Sequence, residues 1–293
     1  MYNVKFFKYP SGWQVRVYNT LVGFHEKPDK FLVNDEYLPT PVWDEDIQEY
    51  IYTMLPCETW VNPFTMKIEP VPVAYEDIKD DLEEKKKRSL RSSMGRTVNA
   101  VYRIARANVW DWFITFTFNP AVVDSFDYSA TVKKLSMWLN NMRKVSPDLG
   151  YIVVPEQHES GRYHFHGLFK DCEGFEFVPS SKCTNKGDVI YNVGKYKFGW
   201  TTATRIGSQD RVTKYIAKYI NKDLCQVAFG KRRYWVSRNL NAADVQEVVL
   251  DKDKLHQLVG RLEKKASFIK QVECAEVVTT YYELPAGLGE EEV

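Results

Sequence analysis

The sequence predicts an α+β fold in which antiparallel strands and amphipathic helices pack together, and three observations lead there. Tyr151 to Gln157 and Arg162 to Phe169 read as two strands joined by a tight polar connection containing Ser160-Gly161, a β-hairpin. Trp112 to Phe118 (WFITFTF) is β-branched and aromatic throughout and stops at Asn119-Pro120, the pattern of a buried strand closed by a turn. Two segments carry apolar residues at helical spacing: Glu83 to Asn108, through Leu90, Met94, Val98, Val101, Ile104 and Ala105, and Ala130 to Lys144, through Val132, Leu135, Met137, Leu139 and Met142.

The remaining elements follow from the same rules. Residues 1 to about 75, rich in proline and aromatics, read as irregular or short-strand structure, with alternation at Trp13 to Tyr18. Lys195 to Ile206 reads as a further strand, Asp210 as the cap of a helix running to about Asn221, and Arg232 to Ser237 as one more strand before helical segments to about Lys270. The expected organisation is an N-terminal extension (1–84), a core domain (85–225) and a C-terminal strand and helical extension (226–293) that ends in an acidic tail.

Composition excludes several classes. No run approaches the roughly 18 apolar residues of a membrane span, and Met1 to Trp13 lacks the apolar core of a signal peptide. Five scattered cysteines without a CxxC pair offer neither a disulfide framework nor a thiolate zinc site, so a reducing cytoplasm is expected. The 40 basic residues nearly balance the 39 acidic ones, but they are segregated. Lys85 to Arg106 holds eight basic residues and no acid, and Lys195 to Arg233 holds ten against Asp210 and Asp223. Two such blocks around candidate chemistry point to a phosphate backbone as partner.

That chemistry centres on Tyr163-His164-Phe165-His166-Gly167. Side chains at i and i+2 of a strand share a face, so His164 and His166 present two imidazoles side by side while Phe165 turns to the other face. This is metal-ligand geometry, although two hydrogen-bonded histidines on a half-buried sheet would read the same way. A third ligand should come from the neighbouring strand, because a hard divalent ion wants oxygen. A hairpin centred on Ser160 or Gly161 places Glu156 and His158 on the histidine face; a two-residue Ser160-Gly161 loop places Gln157 there instead. The carboxylate of Glu156 is the stronger ligand for Mg²⁺ or Mn²⁺, and Gln157 is the alternative.

Downstream, Tyr215, Lys218, Tyr219 and Lys222 share an arc of about 100° on a helical wheel, beside an apolar stripe of Val212, Ile216 and Ile220. A phenol with pKa about 10 is a poor nucleophile at neutral pH. Neighbouring ammonium groups favour the phenolate, and a divalent ion would polarise a scissile phosphate.

Taken together these residues resemble the HUH endonucleases, and within them the replication initiators of small single-stranded DNA phages of the gokushovirus (Microviridae) type. Phe113 to Pro120 looks like the first, strand-borne motif of that family, His164-Phe165-His166 like its histidine motif, and Tyr215-Ile216-Ala217-Lys218-Tyr219 like its two-tyrosine motif, over roughly residues 88 to 225. The resemblance implies an RRM-like palm, a central antiparallel sheet flanked by helices. It implies His164, His166 and Glu156 (or Gln157) as metal ligands, Tyr215 and Tyr219 as nucleophiles, and Lys218 as an aid to the phenolate or the phosphate. It also implies site-specific nicking and joining of single-stranded DNA at a rolling-circle origin through a 5′-phosphotyrosine, in a host bacterial cytoplasm. Single-stranded or supercoiled origin DNA and the host replicative helicase and polymerase would be the partners. Lys214, Lys222, Arg205, Lys195, Arg96 and Arg103 are candidate phosphate contacts, which position DNA without reading its sequence. A relaxase or transposase of the same fold, or a non-catalytic single-strand binding module, are the competing readings.

Overall fold

The computed structural model describes residues 1–23, 37–44, 48–64, 66–72, 75–185, 187–207, 232–274 and 277–288. The chain forms two compact units, one of residues 1–23 with 94–293 and one of residues 24–93. The first unit begins with β1 (Tyr2–Tyr9) and β2 (Gly12–Val22). The second holds β3 (Tyr37–Asp44), β4 (Glu49–Val61) and β5 (Ile68–Pro72) in one antiparallel sheet, and the start of helix α1 (Tyr75–Ala107). The first unit then resumes at Met94. After α1 come β6 (Trp112–Phe118), α2 (Tyr128–Val145), β7 (Gly150–Gln157), β8 (Tyr163–Lys170), β9 (Phe177–Cys183), β10 (Val189–Val193) and β11 (Gly199–Arg205). The chain closes with β12 (Trp235–Val236), β13 (Asp244–Val248), α3 (Lys252–Lys265), β14 (Phe268–Cys274) and β15 (Val277–Leu284). Antiparallel sheets with helices packed on them make this an α+β fold.

A seven-stranded sheet, in the order β12-β7-β8-β6-β11-β10-β9, is the centre of the first unit. β6 alternates strictly, with Trp112, Ile114, Phe116 and Phe118 buried and Phe113, Thr115 and Thr117 only half-buried. The buried set meets Phe165 and Phe169 of β8 and the apolar stripe of α2, Leu135, Trp138, Leu139 and Met142. That stripe recurs every three to four residues, and Asp127 starts the helix by accepting a hydrogen bond from the Ser129 backbone N–H (2.7 Å). On the opposite face Val101 and Ala105 of α1 pack with Ile152, Val154 and Leu168. The helix therefore covers one end of this face. The histidines lie toward the other end.

The N-terminal end was expected to be irregular or short-strand structure and the C-terminal end helical beyond Ser237; the first forms long strands, and the second adds strands on both sides of its helix. They pair in one five-stranded antiparallel sheet, β13-β1-β2-β15-β14, whose core of Val4, Trp13, Val15 and Tyr282 is closed by Leu258 and Leu262 of α3. Its registers join residues more than 240 positions apart, such as Val4 with Val248, which no local pattern reveals. The C-terminal helix stops at Lys265 because Phe268 to Cys274 supplies β-branched and aromatic residues for a strand. The expected strand from Lys195 begins only at Gly199, leaving Lys195 in the turn after β10. No helix among the described residues is long and apolar enough to cross a membrane.

Candidate functional site

The β7–β8 hairpin sets the site. His158 N–H donates to the Arg162 carbonyl (2.8 Å) and Gly161 N–H to the His158 carbonyl (2.7 Å), a three-residue loop with Gly161 at φ +82°, the left-handed position where glycine is unstrained. The loop centres the register on Ser160, so Glu156 stands opposite His164 and Gln157 opposite Tyr163. Glu156 therefore shares the histidine face. Gln157 is on the other, its side-chain amide donating to the Gly161 carbonyl (3.1 Å).

Two rows of side chains cross this face. Glu156 of β7, His164 of β8, Thr117 of β6 and Trp200 of β11 form one, and Val154, His166, Thr115 and Thr202 form the next. Thr115 Oγ1 lies 2.9 Å from His166 Nδ1, and Thr117 Oγ1 lies 3.1 Å from His164 Nδ1. A hydroxyl both donates and accepts, so each threonine holds its imidazole in either tautomer and leaves Nε2 toward the open side. His166, 5% exposed, is further fixed by the stacked Phe113 ring (5.9 Å between centroids) and by a direct contact of Nε2 with Glu156 Oε2.

The electrostatics favour the basic forms of Glu156 and His164. Hydrogen bonding to His166 holds the Glu156 carboxyl below the usual carboxylate range, against the effect of burial. Burial, aided by the charge of His166, pushes the His164 imidazole below its ordinary value. An ionised carboxylate and a neutral imidazole are the ligating forms of both groups. The donor set of two imidazoles and one carboxylate, with both Nδ1 atoms held from behind, thus fits a divalent cation by its chemistry. Its positions are not those of a formed site. Among the described residues no group of three or more His, Cys, Asp or Glu side chains is arranged to hold a metal ion, and Glu156 is instead closed onto His166. Admitting a cation requires that carboxylate to turn off the imidazole.

Other candidates are more dispersed. Tyr215, Lys218, Tyr219, Lys214 and Lys222 lie outside the described residues. Arg205 is on the opposite face from the histidines, its guanidinium 4.9 Å from the Trp112 ring, and Lys195 pairs with Glu176 (3.2 Å) in the turn that meets α2 through Trp138. Arg96 is exposed on α1, and the Arg103 Nε–H donates to the Asn99 carbonyl (3.3 Å). Neither Arg205 nor Lys195 is gathered beside the histidines. Thr115, Thr117 and Trp200, which share the histidine face, are not among the expected site residues. The alternation of WFITFTF was a signal for the threonines, being the polar positions of an otherwise apolar strand; nothing local marked Trp200.

No curated protein and no solved structure matches the chain. Residues 111–224, the span that carries β6, α2, the histidine hairpin and β11, match the family model of the ORF2-type replication-associated protein. For that span, the match supports a replication-associated protein whose task is replication initiation.

Proposed function

We propose that the chain is a metal-dependent, site-specific single-strand DNA endonuclease and strand transferase that initiates rolling-circle replication. The observation that carries this reading is the face shared by Glu156, His164 and His166, with each imidazole backed by a threonine, inside the span matched to a replication-associated family. The two-tyrosine segment within the same span supports it from sequence.

His164, His166 and Glu156 would hold Mg²⁺ or Mn²⁺, which when bound polarises the phosphate and offsets charge on its oxygens. Thr115 and Thr117 orient the two rings throughout. The oxygen of Tyr215 or Tyr219, its proton given up to solvent, attacks phosphorus at the origin. The bond from phosphorus to the 3′ oxygen breaks, and that oxygen takes up a proton. The products are a 5′-phosphotyrosine and a 3′ hydroxyl that a polymerase can extend. One phosphate diester replaces another, so attack by a 3′ hydroxyl on the phosphotyrosine rejoins DNA without ATP. The second tyrosine cuts the regenerated origin while the first still carries DNA. Lys218 stabilises the phenolate. Covalent transfer of labelled origin DNA to the protein, with and without Mn²⁺, tests the reading, and Tyr215→Phe with Tyr219→Phe should abolish it.

A further inference from the structure

A cavity of about 210 Å³ opens beside His164, lined by Thr117, Ser125, His158, Arg162, Trp200 and His164 itself among others. We infer that it receives a single unpaired nucleobase of the DNA strand, next to the phosphate that is cut; only that last position rests on the nuclease reading above.

Four side chains carry the inference. Trp200 stands in the same cross-strand row as Thr117, His164 and Glu156, yet its indole is 59% exposed. With strands about 4.8 Å apart, its backbone lies about 10 Å from that of His164. A flat ring held open beside a candidate phosphate site is a stacking surface, and stacking tolerates any base because every base has a π-face. Ser125 is 2% exposed, and its hydroxyl has no hydrogen-bond partner among the described residues. A buried hydroxyl left in that state is costly, and the polar edge of a base would satisfy it as donor or acceptor.

His158 and Arg162 complete the rim. The Ser160 backbone N–H donates to His158 Nδ1 (3.2 Å), so the neutral ring carries its proton on Nε2 and offers a donor there. Arg162 is exposed, its guanidinium 5.4 Å from the Phe126 ring, and is placed to meet the phosphate of the captured nucleotide.

Size selects the occupant. The cavity, at about 210 Å³, falls below the roughly 300–1,000 Å³ of small-molecule pockets. One ring system fits and a base pair does not. A base inside a duplex has its edges engaged and its faces stacked, so the cavity selects for single strands at this position.

The test uses the full chain with Tyr215→Phe and Tyr219→Phe, so that DNA binds without being cut. A labelled thymidine homo-oligomer and a duplex of equal length are titrated in, with anisotropy and tryptophan fluorescence recorded. The single strand should quench fluorescence more than the duplex. Adding Trp200→Ala should remove that extra quench and weaken single-strand binding about tenfold at every salt concentration. Trp200→Tyr should keep most of the affinity, and Arg162→Ala should lower the salt slope by about one. Unchanged affinity and quench in Trp200→Ala, or equal quench by duplex, would overturn the inference. The nuclease reading fails separately, by absence of covalent adduct in the parent protein. An intact Trp200-dependent quench without adduct still supports the base subsite.

Discussion

Thr115 and His166 face each other across β6 and β8, with the threonine hydroxyl 2.9 Å from Nδ1 of the imidazole. When Nε2–H is donated to Glu156, Nδ1 accepts from this hydroxyl; when Nε2 is needed as a bare ligand, Nδ1–H donates to the same oxygen. Thr115→Val keeps the shape and loses both bonds. We predict a loss of about tenfold or more in Mn²⁺ affinity, read as the metal midpoint of adduct formation, with Thr115→Ser restoring most of it.

Gln157 and Glu156 are neighbours on opposite faces, so their variants should separate cleanly. Glu156→Gln should raise the Mn²⁺ midpoint at least tenfold, because a neutral amide ligates a hard cation poorly. Gln157→Ala should leave that midpoint unchanged, since its amide is committed to the loop at Gly161. An equal effect of both would move the oxygen ligand off β7.

Gly199 begins β11 and positions Trp200. A Cβ there would lie 2.1 Å from the Thr117 carbonyl oxygen and 2.6 Å from the Asn119 nitrogen, so backbone must move to admit it. Gly199→Ala should destabilise by about 3 kcal/mol, measured by urea unfolding. Gly95→Ala should have the opposite sign, stabilising by up to about 1 kcal/mol, because that helical glycine meets nothing within 4 Å.

Arg106 ties α1 to the terminal sheet, pairing with Glu283 and lying 4.3 Å from the Tyr9 ring, while Tyr102 donates to Glu283 (3.0 Å). Arg106→Met should cost about 3–5 kcal/mol by leaving the Glu283 carboxylate half-buried without its cation. Burial also pushes the Tyr102 phenol up to about 12. Its neutral form is thus favoured in the fold, giving stability that is complete below pH about 10, the unfolded value, and lost as pH rises toward 12. Urea midpoints measured across pH 9 to about 11.5 should fall steadily, and less so in Tyr102→Phe.

The site's strands were legible because their signals are local. WFITFTF marks β6 to the residue, and the polar Ser160-Gly161 connection marks the hairpin, whose parity placed Glu156 or Gln157 beside the histidines. A single loop residue decided between those two, and only the register with Ser160 at its centre resolves it. The terminal sheet was illegible for the opposite reason. β1 pairs with β13 across more than 230 residues, and its burial is irregular along YNVKFFKY, so neither period nor turn chemistry announces it. Arg205 and Lys195 show the limit of counting charge: both belong to a basic block, yet strand alternation and a turn direct them away from the histidines.

The most direct measurement is a denaturing gel of the full chain incubated with labelled single-stranded DNA carrying the replication origin of its own genome, with Mn²⁺ or with EDTA. A protein–DNA band that requires the metal, leaves a free 3′ hydroxyl and disappears when Tyr215→Phe and Tyr219→Phe are combined is the predicted result. A band that survives the double substitution, or cleavage that leaves a free 5′ phosphate and no band, would contradict it.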